Sequence, residues 1–219
     1  MLLAILDYSG SFAFCVSGAS IAASRRMDLF GIFVMTVIAG FGGGCLRDVL
    51  IGKTPPTVFN TPAYWIIALS ATFLVYFFNI QNKYVEKIIV LFDAIGLAFF
   101  TVVGVKVGIQ TGLSNYQCVL MGVITACFGG ITRDVIINRV PYVFQNEIYG
   151  GFALLGGILY FALRNYMSEG IPDLIVIPLI FSMRMISVWK NWHLPRAGEV
   201  SIRKRKFPMT RKPTSRPNS

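Results

Sequence analysis

Charge is scarce in this sequence. Only 14% of its 219 residues are Asp, Glu, Lys or Arg, against 55% in the hydrophobic set, and the mean hydropathy is +0.64. A soluble domain carries nearer a quarter charged residues, so the composition points to lipid and excludes disordered, collagen-like and coiled-coil chains. Histidine is scarcer still: His193 is the single one and follows the last apolar stretch, which removes histidine-based catalysis and metal binding. The four cysteines (Cys15, Cys45, Cys118, Cys127) lie inside apolar stretches with no Cys-x-x-Cys spacing, and read as small buried hydrophobes. No nucleophile motif is present. Gly40-Phe41-Gly42-Gly43-Gly44 is glycine-rich but lacks the lysine and strand context of a phosphate loop. No enzyme, cofactor or metal is expected. A cleavable signal is not expected either, because Met1 to Asp7 has no basic segment and the apolar run continues past it.

Where the charge sits matters more than its sum of +10. From Lys190 onward there are nine Lys or Arg and one acid, Glu199, so this end carries +8 and the other 189 residues only +2. The stretch 195–219 includes Arg203-Lys204-Arg205-Lys206 among Pro and Ser, and reads as a disordered basic cytoplasmic tail. A juxtamembrane role explains it better than nucleic acid, which is not expected as a partner.

Seven apolar stretches are long enough to cross a hydrocarbon core of ~30 Å at ~1.5 Å per residue. They run roughly 2–23, 28–52, 62–80, 88–108, 115–138, 147–164 and 171–189, inside a transmembrane domain of 1–190. Arg25, Arg26, Lys83, Lys87, Arg139 and the tail gather on one side, and Lys53, Lys106 and Arg164 on the other. The positive-inside rule then puts the N-terminus outside and the C-terminus in the cytoplasm. Tyr64, Trp65, Trp189 and Trp192 fall at span ends, as interface anchors do.

The most informative pattern is a repeat with an offset of 86 residues. Asp7, Gly10, Phe14, Val16 and Gly18 recur as Asp93, Gly96, Phe100, Val102 and Gly104. Gly43-Gly44-x-x-Arg47-Asp48-Val49-x-Ile51 recurs as Gly129-Gly130-x-x-Arg133-Asp134-Val135-x-Ile137. With Met35, Val37, Ile38, Pro55 and Asn60 this makes sixteen identities over 54 positions without a gap. Each copy (2–80 and 88–164) holds three spans, an odd number, so the copies enter the membrane from opposite sides. The expected fold is an all-α membrane protein of 3+3 inverted repeats plus a seventh span, 171–189, an architecture of solute-conducting proteins.

Two features of the repeat could carry function. The first is glycine: Gly42, Gly43 and Gly44 in the second span and Gly129 and Gly130 in the fifth each weaken a helix by about 0.8–1.0 kcal/mol relative to Ala. Together with the charged pair that follows, they predict broken or kinked helices lining a pore, with close helix packing as the plainer reading. The second is charge at membrane depth, where each residue costs at least ~2.5 kcal/mol unless paired or wetted. Neighbours on a helix point about 100° apart, so Arg47 is not expected to neutralise Asp48, nor Arg133 to neutralise Asp134. Matching depths instead predict pairs Asp7–Arg47 outside and Asp93–Arg133 inside, leaving Asp48 and Asp134 to water or a cation. Lys106 could line an outer mouth or snorkel, Arg184 is expected to snorkel to the cytoplasmic surface, and Asp173 to cap the seventh helix, which Pro178 should kink.

The doubled Gly-Gly-x-x-Arg-Asp-Val, the prolines Pro55 and Pro141, and Phe92-Asp93-Ala94-Ile95-Gly96-Leu97-Ala98 resemble one family. It is the prokaryotic group related to the trimeric intracellular cation (TRIC) channels, whose bacterial members are labelled as carrying two glycine-transporter domains. The resemblance covers roughly residues 5–165. It implies a homotrimer in the inner membrane of a prokaryote, in contact with lipid, with one pore per protomer passing monovalent cations such as potassium. It also implies that the second and fifth helices are broken at Gly42, Gly43, Gly44, Gly129 and Gly130, beside Arg47, Asp48, Arg133 and Asp134. Phe128 stands where the first copy has Gly42, so the fifth helix should kink less. A carrier for glycine or another small amino acid shares the architecture and is the alternative.

Overall fold

The structure is a computed structural model, and it describes residues 1–78, 82–145, 148–190 and 192. The basic stretch 195–219, His193 and Asn146 lie outside the described residues. Seven helices carry the bulk of the chain: α1 (Leu2–Ser24), α2 (Leu29–Leu50), α4 (Pro62–Phe78), α5 (Asn82–Gln110), α6 (Asn115–Ile136), α8 (Tyr149–Leu163) and α9 (Ile171–Trp189). Two four-residue helices, α3 (Thr57–Asn60) and α7 (Tyr142–Gln145), follow α2 and α6. Among the described residues there is no strand. Helices α1, α2, α5, α6 and α9 are long and apolar enough to cross a membrane; α4 and α8 are shorter, at 17 and 15 residues. Outward faces carry large apolar side chains such as Ile66, Phe77, Leu155 and Leu174, a surface that suits lipid rather than water.

The repeat punctuates the helices in the same way twice. Asp28 starts α2, its carboxylate accepting from Gly31 N at 2.7 Å, and the corresponding Ser114 starts α6, donating to Gln117 Oε1. After α2 and α6 the chain turns through left-handed backbone at Gly52 (φ 75°) and its counterpart Asn138 (φ 55°), residue types that tolerate it. The fourth span begins earlier than 88: α5 starts at Asn82 and extends its apolar core by polar first turns bearing Glu86 and Lys87. Pro178 sits inside a continuous α9. The short helices were not foreseen, because four residues after a proline carry no periodicity to read.

Helix α1 packs on α5 and α2 on α6, with α4 and α8 outside. The contacts between the copies are reciprocal. A Cβ on Gly10 would lie 2.7 Å from the Phe100 ring, and one on the corresponding Gly96 would lie 2.6 Å from Phe14, the counterpart of Phe100. A Cβ on Gly43 would collide with the carbonyl of Thr125, and one on Gly129 with that of Ala39. In both cases advancing along one helix retreats along the other, so α1 runs antiparallel to α5 and α2 to α6. Reciprocal antiparallel contacts are those of a pseudo-two-fold axis perpendicular to the helices.

The glycine clusters do not break their helices. Both α2 and α6 run unbroken for 22 residues through Gly42-Gly43-Gly44 and Gly129-Gly130, contrary to the break expected there. Gly43 and Gly129 instead let two backbones approach to carbonyl contact, the packing use of small residues. Gly42 faces the Cα of Gly129 across the same crossing. Continuous helices with a bare surface account for the motif without a break.

Candidate functional site: two buried charge clusters

At one end, the second turn of α1 supplies Asp7 and the last turn of α2 supplies Arg47 and Asp48. Arg47 donates from Nε to Asp48 Oδ1 at 2.9 Å, and its Nη2 lies 2.8 Å from the same oxygen. That Nη2 also stands 3.8 Å from Asp7 Oδ2. Asp7 Oδ2 accepts from Tyr64 OH at 2.7 Å, while Asp48 Oδ2 accepts from Thr57 N at 2.8 Å and Thr57 Oγ1 at 2.6 Å.

At the other end the second copy repeats the design with a shorter contact between the arginine and the aspartate of the neighbouring helix. Arg133 Nε donates to Asp134 Oδ1 at 2.9 Å, and its Nη1 donates to Asp93 Oδ1 at 3.0 Å and to Ser17 Oγ at 2.5 Å. Asp134 Oδ2 accepts from Tyr142 N at 3.2 Å. Arg47 is 3% and Arg133 1% exposed, so neither snorkels.

The two arginine–aspartate pairs thus fall within salt-bridge distance, but, contrary to expectation, each arginine also binds the aspartate next to it. Adjacent side chains do diverge, yet the three methylenes of arginine let Nε turn back to the next residue while the far end of the fork reaches another helix. One guanidinium therefore bridges two carboxylates. Asp48 and Asp134 are not left for water or a cation: each is held by its arginine and by the first backbone N–H of a short helix, α3 or α7. The clusters tie the end of α2 to α1 and α3, and the end of α6 to α5 and α7.

Ser17 was not singled out in the sequence, and nothing marks it, since its counterpart is the apolar Val103. The difference is felt at the other end, where Arg47 Nη1 is buried without a hydrogen-bond partner among the described residues. Tyr64, expected to anchor at the interface, is buried and donates its hydroxyl to Asp7 instead. Thr57 and Tyr142 could have been found as the polar or N–H-bearing residues just after Pro56 and Pro141.

Space differs between the ends. Beneath the Asp7 cluster lies a cavity of about 20 Å³ lined by Ser11, Gly44 and Thr57 among others, and above it an open vestibule of about 280 Å³ reaches Lys53, Gln110 and Thr111. The cavity at the Asp93 cluster, bordered by Gly130, Tyr142 and Tyr149, is about 10 Å³. Gly44 and Gly130, matched by the repeat, thus keep each arginine's surroundings open rather than packing helices.

The remaining charges also find partners. Lys106 does not snorkel: it is 7% exposed and its Nζ lies 2.7 Å from Asp173 Oδ2, beside a cleft of about 250 Å³ with Tyr160, Arg164 and Glu169. Asp173 is consequently a counter-ion rather than a cap; Gly170, at φ 92°, occupies the cap position of α9. Arg184 likewise stays inside, 1% exposed, with its guanidinium 4.9 Å over the ring of Tyr149. The face of α9 that carries it packs on α5 and α8, so the surface is out of reach.

Comparison with known proteins places this arrangement. The family model described as "Glycine transporter" matches twice, at 4–79 and 90–165, the two copies of the repeat. A membrane protein of Bacillus subtilis, YvgT, is 32% identical over 87% of this chain and 94% of its own length. The inner membrane protein YadS of Escherichia coli is 30% identical over 89% and 94%. Among solved structures, a TRIC trimeric intracellular cation channel orthologue from Rhodobacter sphaeroides superposes with a TM-score of 0.78 at 33% identity, covering 86% of this chain and 98% of that one. A prokaryotic TRIC channel crystallised in 0.5 M KCl gives 0.83 at 30% identity, covering 89% and 99%. The TRIC channel from C. elegans with bound Ca2+, at 17% identity and a TM-score of 0.56, shares the fold. The chain is a multi-pass membrane protein and belongs to the glycine-transporter-domain family that includes the prokaryotic TRIC channels.

Proposed function

We propose that this protein is a cation channel, permeable to potassium, with one conduction path in each protomer of a homotrimer. The single observation that carries the reading is the doubled cluster, one buried bridging arginine and two aspartates, of which only Asp7 is partly exposed, at each end of an antiparallel pair of repeats. Burying that many charges in lipid is costly, and a packed scaffold has no use for it twice. The relatives of known structure are described as trimeric cation channels, which supports both the ion class and the trimer.

In this reading the chain crosses the membrane seven times, α4 and α8 completing the two three-span repeats and α9 standing outside them. The N-terminus faces outside, and Arg25, Arg26, Lys87 and Arg139 face the cytoplasm. The path runs between the repeats, past Ser11 and Gly44 at the Asp7 end and Gly130 at the Asp93 end. Cavities of about 20 and 10 Å³ hold about one water each, so the conformation described is closed. Opening must separate each arginine from one of its aspartates, freeing a carboxylate for the passing ion.

A carrier for glycine or another small amino acid is the second reading, favoured by the description of the family model and by the arginine at each closed end, a partner for a carboxylate. Proteoliposomes decide between them. Potassium efflux that runs down its gradient without glycine supports the channel; saturable glycine uptake with no independent potassium flux supports the carrier.

A further inference from the structure

Lys106 and Asp173 form a buried ion pair with no equivalent in the first copy, where Ser20 stands in place of Lys106. The pair joins α5 to α9 and borders neither of the small cavities at the arginine clusters. A buried carboxylate needs partners for both oxygens. Asp173 Oδ2 has Lys106 Nζ at 2.7 Å, but Oδ1 is buried with no hydrogen-bond partner among the described residues. Tyr160 of α8 comes near enough to feel the Asp173 charge without bonding to Oδ1.

Two hollows meet at this pair. Lys106 lines the cleft of about 250 Å³, whose rim carries the exposed Gln110, Arg164 and Glu169. Asp173 lines a groove of about 470 Å³ between α1, α5 and α9, walled by apolar side chains such as Leu6, Phe99, Leu174 and Ile177. Glu169 and Gly170 border both, so polar cleft and apolar groove adjoin. Helix ends gather here: α1 and α9 begin, and α5 and α8 end, around the two hollows. That is the depth of one leaflet's headgroups, the outer leaflet in the orientation proposed above.

We propose that the adjoining hollows bind one phospholipid with a zwitterionic, primary-amine headgroup, of the phosphatidylethanolamine type. The headgroup fills the cleft and an acyl chain lies in the groove. Charge selects the headgroup. Arg164, held over the Phe161 ring, and Lys106 take the phosphate. Glu169 and Asp173 take the ammonium, which has three N–H donors and can satisfy Oδ1. A purely anionic headgroup meets the same two carboxylates with no positive charge to offer them. Choline keeps the positive charge but has no N–H to donate. A soluble zwitterion leaves the groove empty, and an apolar face of a second copy leaves Oδ1 unpaired. The inference does not depend on what the protein conducts.

The test is native mass spectrometry of the full chain in detergent, titrated with lipids that share their acyl chains and differ in headgroup. Phosphatidylethanolamine should be retained at one molecule per protomer, about tenfold more tightly than phosphatidylcholine or phosphatidylglycerol, the worth of one charge-assisted hydrogen bond. Glu169→Gln, at an exposed position that leaves the buried pair intact, should bring the ethanolamine-to-choline ratio close to one. A phosphatidylethanolamine with a photoreactive acyl chain should label the residues of α1 and α9 that wall the groove. Equal retention of the three lipids, or a preference that survives Glu169→Gln, overturns the inference. So does displacement of the lipid by soluble phosphoethanolamine, which would mark the cleft as a site for a small solute. Absence of label from α1 and α9, as when a second copy covers the groove, overturns it as well. None of these outcomes bears on whether the protein passes a cation.

Discussion

Phe14 and Phe100, equivalent residues of the two copies, face each other with ring centroids 5.4 Å apart and planes inclined by 33°. Each ring lies over the glycine that precedes the other by four residues, Gly96 under Phe14 and Gly10 under Phe100. The pair therefore sits on the pseudo-two-fold axis, and α1 and α5 are locked by one contact made twice.

That lock makes the two glycines equivalent. Gly10→Ala and Gly96→Ala should each overpack the ring opposite and cost about 1–3 kcal/mol. Thermal unfolding in detergent should show similar losses for the two. A large loss for one and none for the other contradicts the axis.

Gly43 and Gly129 differ from Gly44 and Gly130 although they are neighbours. A side chain at Gly43 or Gly129 meets backbone carbonyl, which cannot move aside, so Gly43→Val or Gly129→Val should abolish folded protein on size exclusion. Gly44→Ala and Gly130→Ala meet no atom nearer than 3.4 Å and should fold, changing conductance rather than yield.

Removing one member of a buried ion pair leaves the other uncompensated, at about 3–5 kcal/mol. Arg133→Gln should therefore destabilise strongly, and Arg133→Gln combined with Asp93→Asn should cost clearly less than the two single changes added together. Strict additivity in a double-mutant cycle would show that Arg133 and Asp93 do not act as a pair.

Ser17 distinguishes the two clusters. Ser17→Val, which copies Val103 of the other repeat, should remove a charge-assisted hydrogen bond to Arg133 worth about 1.5–3 kcal/mol. The opposite exchange, Val103→Ser, removes no hydrogen bond, and its loss is that of truncating a fully buried valine. Chemical denaturation of both variants in detergent checks the difference.

The inverted architecture and the two arginine–aspartate pairs were legible because the repeat states them twice, and sixteen identities at one offset fix which residues correspond. The unbroken helices were not. Glycine's low helix propensity argues for a break, but propensity is a weak prior, and the carbonyl contacts of Gly43 and Gly129 depend on a partner helix 86 residues away. Arg47 turning back onto Asp48 was missed for a related reason: spacing gives the direction of Cβ, not the reach of a long side chain. Ser17 and Lys106 have no like residue in the other copy, where Val103 and Ser20 stand, and Asp173 and Arg184 lie outside the repeat, so their partners had to come from three-dimensional packing.

The channel reading itself stands or falls on current. Purified protein reconstituted into planar bilayers under asymmetric potassium chloride should give discrete unitary currents reversing near the potassium potential. Those currents should be unaffected by glycine and lost or altered in Arg133→Ala. A silent bilayer, from protein that takes up glycine saturably in vesicles, contradicts a cation channel and leaves a carrier in its place.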